Sequence, residues 1–475
     1  MSTVPKTQFS GPDLCKMSAH EVVAFLKAKK VSPAELLDAC FARIEAVEPQ
    51  VNAMPTICKD RAYAALSAVE GASMLAGVPM GIKDLTEVEG VRTTMGTLGL
   101  ADQIPTKSDP LVTRLEANGG IVVGKTNTPE FGAGGNTFNA VFGRTRNPWD
   151  VSKNAGGSSG GAAASLASGE VWLSHGSDLA GSVRTPAAYC SIVGLRPSPG
   201  RAGGGPGPMK FHTEGVQGPM ARNVRDCALF MDAMSGFDPA SPISFPQPSQ
   251  SFFETTQRPA KGYRIGYSAT LNGFGTISPQ IDAILRGALD RLAKNGAEVE
   301  DHCPDLNGLD QTYRVLRAML WAALPGRAPE ALTQHYKATL KGNISVGQNL
   351  TINDVYDMQL TRSAIYDSMI GFFDTYDVLA CPVVGIEAGP VEEEYPIIGS
   401  PGPDADYLDW LRYSFLSTTT GLPAMSVPVG FTKDGMPVGL QIIGKPRGET
   451  ELFQIARAIE IEMGGPFGPI DPITK

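Results

Sequence analysis

The sequence predicts an α/β fold in one large domain, with a central mixed, twisted sheet covered by helices on both faces. Amphipathic helical runs alternate with short apolar stretches along the chain, which is typical of this class. Those stretches are almost continuously apolar, as expected for strands buried on both faces. The chain has 475 residues, of which 42% are hydrophobic, enough for a large core. No internal repeat and no sharp change in composition divides it, so one domain is predicted over residues 1–475.

Two helix-start signals open the chain. Ser18 is followed three residues later by Glu21, which is the pattern of a capping box before an amphipathic run. Ser32 and Glu35 repeat the pattern, with a proline at the first helical position. We therefore predict an N-terminal helical part over residues 1–70.

The middle and the end of the chain alternate between strand and helix patterns. Apolar stretches predict strands at 78–85 and 121–123, with a helix at 110–118 between them. A polar, proline-rich surface linker is expected at 236–258, and a mainly helical region at 307–366. The remaining predicted elements are helices at 224–234, 279–294 and 449–460, and strands at 263–267, 376–383 and 435–444.

Composition excludes several classes of protein. The formal net charge is −9, with no basic run, so a nucleic-acid partner is not expected. No stretch of about 18 apolar residues is present, so we expect no membrane-spanning helix. Seven cysteines without a CxxC pair and five scattered histidines give no metal-ligand pattern. We expect a cytoplasmic protein without metal or cofactor.

Three segments carry residue types suited to nucleophilic catalysis. Lys83 ends an apolar stretch, Ser158 lies in the run Gly-Gly-Ser-Ser-Gly-Gly, and Ser182 follows Ala180-Gly181. A serine hydroxyl is a weak nucleophile until a neighbouring base takes its proton. A lysine can be that base when burial lowers its pKa, and residues 78–85 are apolar enough for this.

These segments resemble the amidase signature family. The resemblance extends from about Met17 to Glu460, and its central glycine- and serine-rich signature is highly specific. It places the catalytic core at about 75–235 and a variable helical region on the substrate side at about 300–370. Further matching blocks are Gly124–Asn127, Asn139–Gly143, Arg146–Trp149, Gly218–Arg222, Gly421–Pro428 and Pro437–Gln441.

The resemblance implies a role for each catalytic residue. Ser182 would be the nucleophile that forms an acyl-enzyme, and Lys83 would be the base. Ser158, preceded by a cis peptide bond from Gly157, would relay the proton between them. Backbone N–H groups would form the oxyanion hole, and three side chains would support the site. The oxyanion-hole residues are Leu179, Ala180, Gly181 and Ser182, and the supporting residues are Ser159, Asp178 and Arg184.

Two positions depart from the family pattern. Ala180 stands where glycine is common, and Thr418 stands where asparagine is frequent. Neither changes the three catalytic residues. Both put the substrate preference in doubt, while the expected chemistry is unaffected.

The same motifs allow other interpretations. Residues 156–160 also satisfy GxSxG, but a nucleophile elbow follows a buried strand and residues 151–154 are polar. Gly124-Lys125-Thr126 contains the end of a P-loop pattern without its preceding loop. His175 could pair with Ser182, although a packed histidine is more common. Trp149 and Cys190 are expected to pack in the core.

The sequence therefore favours an amidase that hydrolyses a small carboxamide or related acyl derivative, preferably with a hydrophobic or aryl group. Two alternatives stay open: a glutamine-hydrolysing subunit of a tRNA-dependent amidotransferase, and a non-catalytic binding protein on the same fold. A monomer or homodimer is expected. Specificity is expected from residues 132–138, 201–213 and 311–366, the last including the apolar cluster Met319, Leu320, Trp321 and Leu324.

Overall fold

The computed structural model describes residues 5–204, 208–398 and 407–475. In this part of the chain, eleven strands form one central sheet and four form two small two-stranded sheets. The strands in chain order are β1 (Thr56–Ile57), β2 (Pro79–Lys83), β3 (Ile121–Thr126), β4 (Phe138–Asn139), β5 (Gly143–Arg144), β6 (Arg146–Asn147), β7 (Asp150–Asn154), β8 (Leu173–Asp178), β9 (Val193–Arg196), β10 (Val216–Ala221), β11 (Arg264–Tyr267), β12 (Glu298–Asp301), β13 (Val378–Pro382), β14 (Ala424–Phe431) and β15 (Pro437–Gly444).

The central sheet is mixed, as predicted. Its order is β1-β3-β2-β8-β10-β9-β14-β15-β13-β11-β12. Strand β2 runs parallel to both β3 and β8, and β11 runs parallel to both β12 and β13. The six other neighbouring pairs are antiparallel. The parallel group β3-β2-β8 is the part of the sheet that carries Lys83.

Helices cover the sheet on both faces. Along β13, Val378 and Ala380 pack into one hydrophobic core cluster, whereas Leu379 and Cys381 pack into another. Successive side chains of a strand point to opposite faces, so the two clusters lie on opposite sides of the sheet. The helices in the described residues are α1 (Asp13–Lys16), α2 (Ala19–Lys27), α3 (Pro33–Val51), α4 (Lys59–Ala65), α5 (Pro110–Ala117), α6 (Gly160–Ala167), α7 (Arg184–Cys190), α8 (Val224–Met234), α9 (Phe252–Thr255), α10 (Pro279–Lys294), α11 (Leu309–Ala323), α12 (Glu330–Thr333), α13 (Ala338–Gln348), α14 (Ile352–Phe373), α15 (Phe415–Thr420) and α16 (Glu449–Glu462).

The predicted helix starts are confirmed. In both capping boxes the glutamate side chain accepts a hydrogen bond from the backbone N–H of the capping serine, Ser18 to Glu21 and Ser32 to Glu35. Every strand and helix predicted by its own pattern is present, with ends that differ by up to three residues. The region predicted to be mainly helical contains α11 to α14.

Two regions contain more structure than the sequence predicted. The linker at 236–258 is largely loop, but it includes α9, where Phe252 is fully buried. Residues 150–196, which include the glycine- and serine-rich signature, form β7, α6, β8, α7 and β9. None of the helices in the described ranges is long and apolar enough to cross a membrane. The division at about 1–70, 75–235 and 300–370 stays a prediction.

Candidate active site

Lys83 lies at the end of β2 with its side chain fully buried. Strand β2 pairs in parallel with β8, which brings the lysine beside the segment that leads to Ser182. The Lys83 ammonium nitrogen Nζ lies 2.7 Å from Ser158 Oγ and 2.8 Å from Ser159 Oγ. It also lies 3.1 Å from Ser177 Oγ and 3.3 Å from the Ser177 carbonyl oxygen. Oxygen atoms of three serines therefore surround this nitrogen.

Burial sets the protonation of this lysine. Desolvation lowers the pKa of Lys83 from 10.5 to about 7, and the more distant Asp178 charge opposes the shift. No ion pair between described residues includes Lys83. Burial without a contacting carboxylate disfavours the charged form of an amine. A substantial neutral fraction near pH 7 is what a proton-accepting lysine requires.

Ser158 lies in the turn between β7 and α6, after a cis peptide bond from Gly157, as the resemblance implies. A Cβ atom at Gly157 would lie 3.0–3.1 Å from backbone atoms of residues 134–136, so a larger residue would crowd this turn. The Ser159 N–H donates to the Ser182 carbonyl oxygen over 3.0 Å. This backbone bond joins the two serine-bearing loops.

Ser182 lies between β8 and α7 and is 6% exposed. The hydrogen bonds of the described residues include none between its hydroxyl and that of Ser158. The structure thus brings Lys83, Ser158 and Ser159 into direct contact, and brings Ser182 alongside them through the backbone. The catalytic role of each residue stays a prediction.

Asp178 and Arg184 hold the loop that contains Ser182. The Arg184 guanidinium donates from Nη2 to Asp178 Oδ1 over 2.8 Å and from Nε to Asp178 Oδ2 over 3.0 Å. The backbone N–H groups of Gly181 and Val183 donate to the same carboxylate. The arginines Arg184 and Arg196 hold the pKa of Asp178 well below its usual range, despite complete burial. These contacts fix the conformation of the loop, and the supporting role of Asp178 and Arg184 in the reaction stays a prediction.

The predicted oxyanion-hole segment has one N–H group already engaged. Gly181 adopts φ +82°, and a Cβ there would lie 2.9 Å from Ser414 Cβ, so the position suits glycine. Its N–H donates to Asp178 over 3.0 Å. The N–H groups of Leu179, Ala180 and Ser182 are the remaining candidates from the prediction.

Ser177 is a site residue that the sequence did not identify, and His175 makes contacts other than the Ser182 pair considered for it. The Lys83 backbone N–H donates to His175 Nδ1 over 3.4 Å, and His175 Nε2 contacts the Gln217 side-chain oxygen. Burial lowers the pKa of His175 to about 3. Because both ring nitrogens are engaged away from Ser182, the interpretation of a Ser182–His175 pair is wrong. Alternation along β8 would have placed His175 and Ser177 on one face, but this strand has no apolar pattern.

The other interpretations of the glycine-rich motifs are also wrong. Lys125 lies within β3, where its Nζ atom is 2.6 Å from Thr93 Oγ1 and 3.2 Å from Asp84 Oδ1. A P-loop lysine would instead follow a strand and face open space for phosphate. The strand before Ser158 is β7, which pairs with β6 outside the central sheet. A nucleophile elbow on a central strand is therefore absent at this position.

Trp149 and Cys190 pack in the interior, as expected. The Trp149 indole N–H donates to the Cys190 carbonyl oxygen over 3.0 Å, and both side chains are buried. The two departures from the family pattern are also buried. Ala180 packs in a hydrophobic cluster, and the Thr418 hydroxyl donates to the Ser414 carbonyl oxygen over 3.2 Å. Neither is among the described residues that line the cavity beside the site.

A cavity beside the site has a volume of about 640 Å³, and its lining residues include Ser177 and Leu179, which precede Ser182 along the chain. Its wall is largely apolar and includes an edge-to-face pair of rings, Phe131 and Tyr336, with centroids 5.2 Å apart. Gln217 is one of its polar lining residues, with Thr86, Glu87, Asp109, Ser177, Ser198, His212 and Ser241. Other apolar side chains of the wall are Met95, Leu320, Trp321, Leu324 and Leu332.

The predicted specificity regions contribute unequally to this cavity. Residues 311–366 supply Leu320, Trp321 and Leu324, whereas Met319 lines a neighbouring cleft instead. Residues 201–213 contribute from their described part, and 205–207 lie outside the described residues. None of the described residues at 132–138 lines the cavity, although Phe131 directly precedes them. No three metal-ligating side chains group together in the described ranges.

Comparisons with known proteins identify the family of the chain. The family model for amidases matches residues 35–453. An acylamidase of Rhodococcus erythropolis is 35% identical, over 94% of this chain and 95% of its own length. One glutamyl-tRNA(Gln) amidotransferase subunit, from Moorella thermoacetica, is 34% identical, over 94% of this chain and 97% of its own.

Solved structures of similar proteins share the fold. A bacterial aryl acylamidase of the amidase signature family superposes with a TM-score of 0.85 and 28% identity, covering 94% of this chain and 96% of the other. A 6-aminohexanoate cyclic dimer hydrolase, solved with substrate, gives 0.87 and 26%, covering 96% and 98%. The family model and the full-length relatives lead to one conclusion: this chain belongs to the amidase signature family of hydrolases.

Proposed function

We propose that the protein is an amidase in which Ser182 attacks the amide carbonyl, with Lys83 as the base and Ser158 as the relay. One observation carries the proposal: the buried Lys83 Nζ lies 2.7 Å from Ser158 Oγ, where burial keeps much of the lysine neutral near pH 7. The alternative of a non-catalytic binding protein gives no reason for this arrangement.

The proposed reaction proceeds through an acyl-enzyme. As Ser182 Oγ bonds to the carbonyl carbon, its proton passes to Ser158 and the Ser158 proton passes to Lys83. Backbone N–H groups from among Leu179, Ala180 and Ser182 stabilise the oxyanion. The C–N bond then breaks and the leaving amine takes the proton back along the same relay. Water, activated by the relay, hydrolyses the acyl-enzyme and releases the carboxylic acid.

The cavity supports a hydrophobic or aryl amide as substrate. Phe131, Trp321 and Tyr336 offer ring faces and edges that suit an aryl group. The names of the acylamidase and aryl acylamidase relatives agree with this preference.

A glutamine-hydrolysing amidotransferase subunit is the second candidate, because several relatives of about 32–34% identity carry that name. The cavity favours it less. Among the described lining residues there are carboxylates, Glu87 and Asp109, but no arginine or lysine to bind the α-carboxylate of glutamine. We also propose that the protein acts in the cytoplasm as a monomer or homodimer, without a cofactor.

The test is hydrolysis by the purified chain alone. We expect it to hydrolyse anilides such as 4-nitroacetanilide, and Ser182→Ala to lose at least about 1,000-fold in kcat/KM. A fluorophosphonate should add one covalent mass to the wild type at Ser182 and none to the variant. Ser67→Ala, a change at an exposed serine, serves as the matched control. Normal turnover by Ser182→Ala, or hydrolysis of glutamine only with added partner subunits, would contradict the proposal.

A further inference from the structure

Gln217 lies on β10, next to β8, the strand that leads to the loop containing Ser182. In the antiparallel pairing of β10 with β8, it is directly opposite Ser177 and diagonal to His175. Cross-strand neighbours of this kind share a face of the sheet. Ser177 and Gln217 both line the cavity, and Ser177 also contacts Lys83. Gln217 is thus a polar side chain beside Ser177 in the wall of a largely apolar cavity.

The hydrogen bonds of His175 fix which end of the Gln217 amide faces the ring. His175 Nδ1 accepts from the Lys83 backbone N–H, so the proton of the neutral ring is on Nε2. Nε2 therefore donates to Gln217, whose contacting atom must be the oxygen Oε1. The amide nitrogen, with its two N–H donors, points away from the histidine.

That amide nitrogen has no partner among the described residues. None of their hydrogen bonds includes Gln217 Nε2. This nitrogen is also absent from the fully buried polar atoms without a partner, so it keeps some accessible surface. Gln217 is half-buried and lines the cavity. A donor whose orientation is set by His175 is therefore available on a residue that lines the proposed substrate cavity.

We propose that Gln217 Nε2 donates a hydrogen bond to an acceptor oxygen of the substrate, away from the amide that is cleaved. The substrates selected in this way are hydrophobic or aryl amides that carry a carbonyl or ether oxygen. The inference rests on the proposed amidase function and deepens it. His175 is the positioning residue, because it holds the Gln217 oxygen and so aims the nitrogen.

A substrate without the acceptor would leave this donor facing an apolar group. Sites that hydrogen-bond a substrate discriminate against analogues that lack the matching group, because the polar group of the site is left unpaired. Gln217 is half-buried, so we expect an effect of about tenfold, in the range of one neutral hydrogen bond.

The experiment compares pairs of substrates that differ by one oxygen. On the acyl side the pair is 4-oxopentananilide and pentananilide. On the amine side it is N-(4-acetylphenyl)acetamide and N-(4-ethylphenyl)acetamide. The ratio of kcat/KM within each pair is measured for the wild type and for Gln217→Leu and Gln217→Glu. Comparing ratios between proteins cancels differences in intrinsic reactivity between the two substrates.

We expect the ratio of at least one pair to fall fivefold or more in both variants. Gln217→Glu keeps the size and the contact with His175 but presents an acceptor, so it decides the question if Gln217→Leu fails to fold. The control is Gln50→Leu, at an exposed position of α3, where the ratios should not change. Fluorophosphonate titration of Ser182 counts the active protein in each sample.

Ratios that change less than fivefold for both pairs would overturn the role of Gln217 while leaving the amidase proposal standing. A wild-type protein that hydrolyses none of the four amides would overturn both. The two failures are therefore distinguishable in one set of measurements.

Discussion

Because Lys83 is buried, we expect kcat/KM to rise with pH near neutrality. With a pKa of about 7, the lysine should be about one tenth neutral at pH 6 and about nine tenths neutral at pH 8. The expected rise in kcat/KM between these pH values is thus about tenfold, followed by a plateau. A lysine with the ordinary pKa of 10.5 would be only about 0.03% neutral at pH 7, and its rate would climb past pH 10.

The environment of Lys83 can be changed one hydrogen bond at a time. Ser177 Oγ lies 3.1 Å from Lys83 Nζ and can accept a bond from the ammonium. Ser177→Ala removes an acceptor that favours the charged form of Lys83, so the pKa of Lys83 should fall. The rise of kcat/KM with pH should then occur at lower pH. We expect a shift of about half a unit to one unit. Ser67→Ala, at the surface, should not shift it.

The assay needs no knowledge of the natural substrate. The second-order rate constant for fluorophosphonate labelling at Ser182 is measured from pH 5.5 to pH 10.5. The kcat/KM for hydrolysis of 4-nitroacetanilide is measured over the same range. A profile that is flat across this range, or one that rises only above pH 9.5, would refute the role of burial. A shift to higher pH in Ser177→Ala would refute the assigned direction of the hydrogen bond.

Three further predictions follow from other contacts. Arg184→Met leaves Asp178 buried without its bidentate partner. The free energy of unfolding in urea should therefore fall by about 3–5 kcal/mol. A loss below about 1 kcal/mol would contradict a stabilising buried pair. Trp321→Ala removes an aromatic side chain from the cavity wall. The ratio of kcat/KM for anilides to kcat/KM for acetamide should therefore fall about tenfold. An unchanged ratio would place Trp321 outside the substrate site. Burial raises the pKa of Glu48, and burial together with the neighbouring Glu48 raises that of Glu170. The folded state therefore binds more protons than the unfolded state between about pH 4.5 and the raised pKa values of the two carboxyl groups. Stability falls as pH rises through these pKa values. Glu170→Gln should reduce that fall, measured by thermal melts between pH 5 and 8.

The sequence predicts well those elements whose patterns are local. The starts of α2 and α3 depend on a serine and a glutamate three residues apart, and both capping boxes are present. The end of β2 at Lys83 depends on an apolar run that stops there. The family resemblance added Ser158 and Ser182, whose glycine-rich surroundings have little periodicity of their own.

The cavity and its polar residue could not be predicted in the same way. Strand β8 reads Leu-Ser-His-Gly-Ser-Asp, without the alternation that marks a strand, so His175 and Ser177 had no predicted face. Gln217 acquires its place only through pairing of β10 with β8, a contact between residues about 40 positions apart. The orientation of its amide depends on a third strand, because the Lys83 N–H on β2 fixes the histidine tautomer.

The strand that carries Lys83 and the helical part of the cavity wall should tolerate mutation unequally. A one-residue insertion in β2 would turn Lys83 to the opposite face of the sheet, so the chemistry permits almost no change of length there. The wall around Trp321 and Tyr336 comes from α11 and the segment after α12, which lie outside the sheet. New substrates can therefore be acquired by altering this helical segment while the strand register, and with it the reaction, is inherited unchanged.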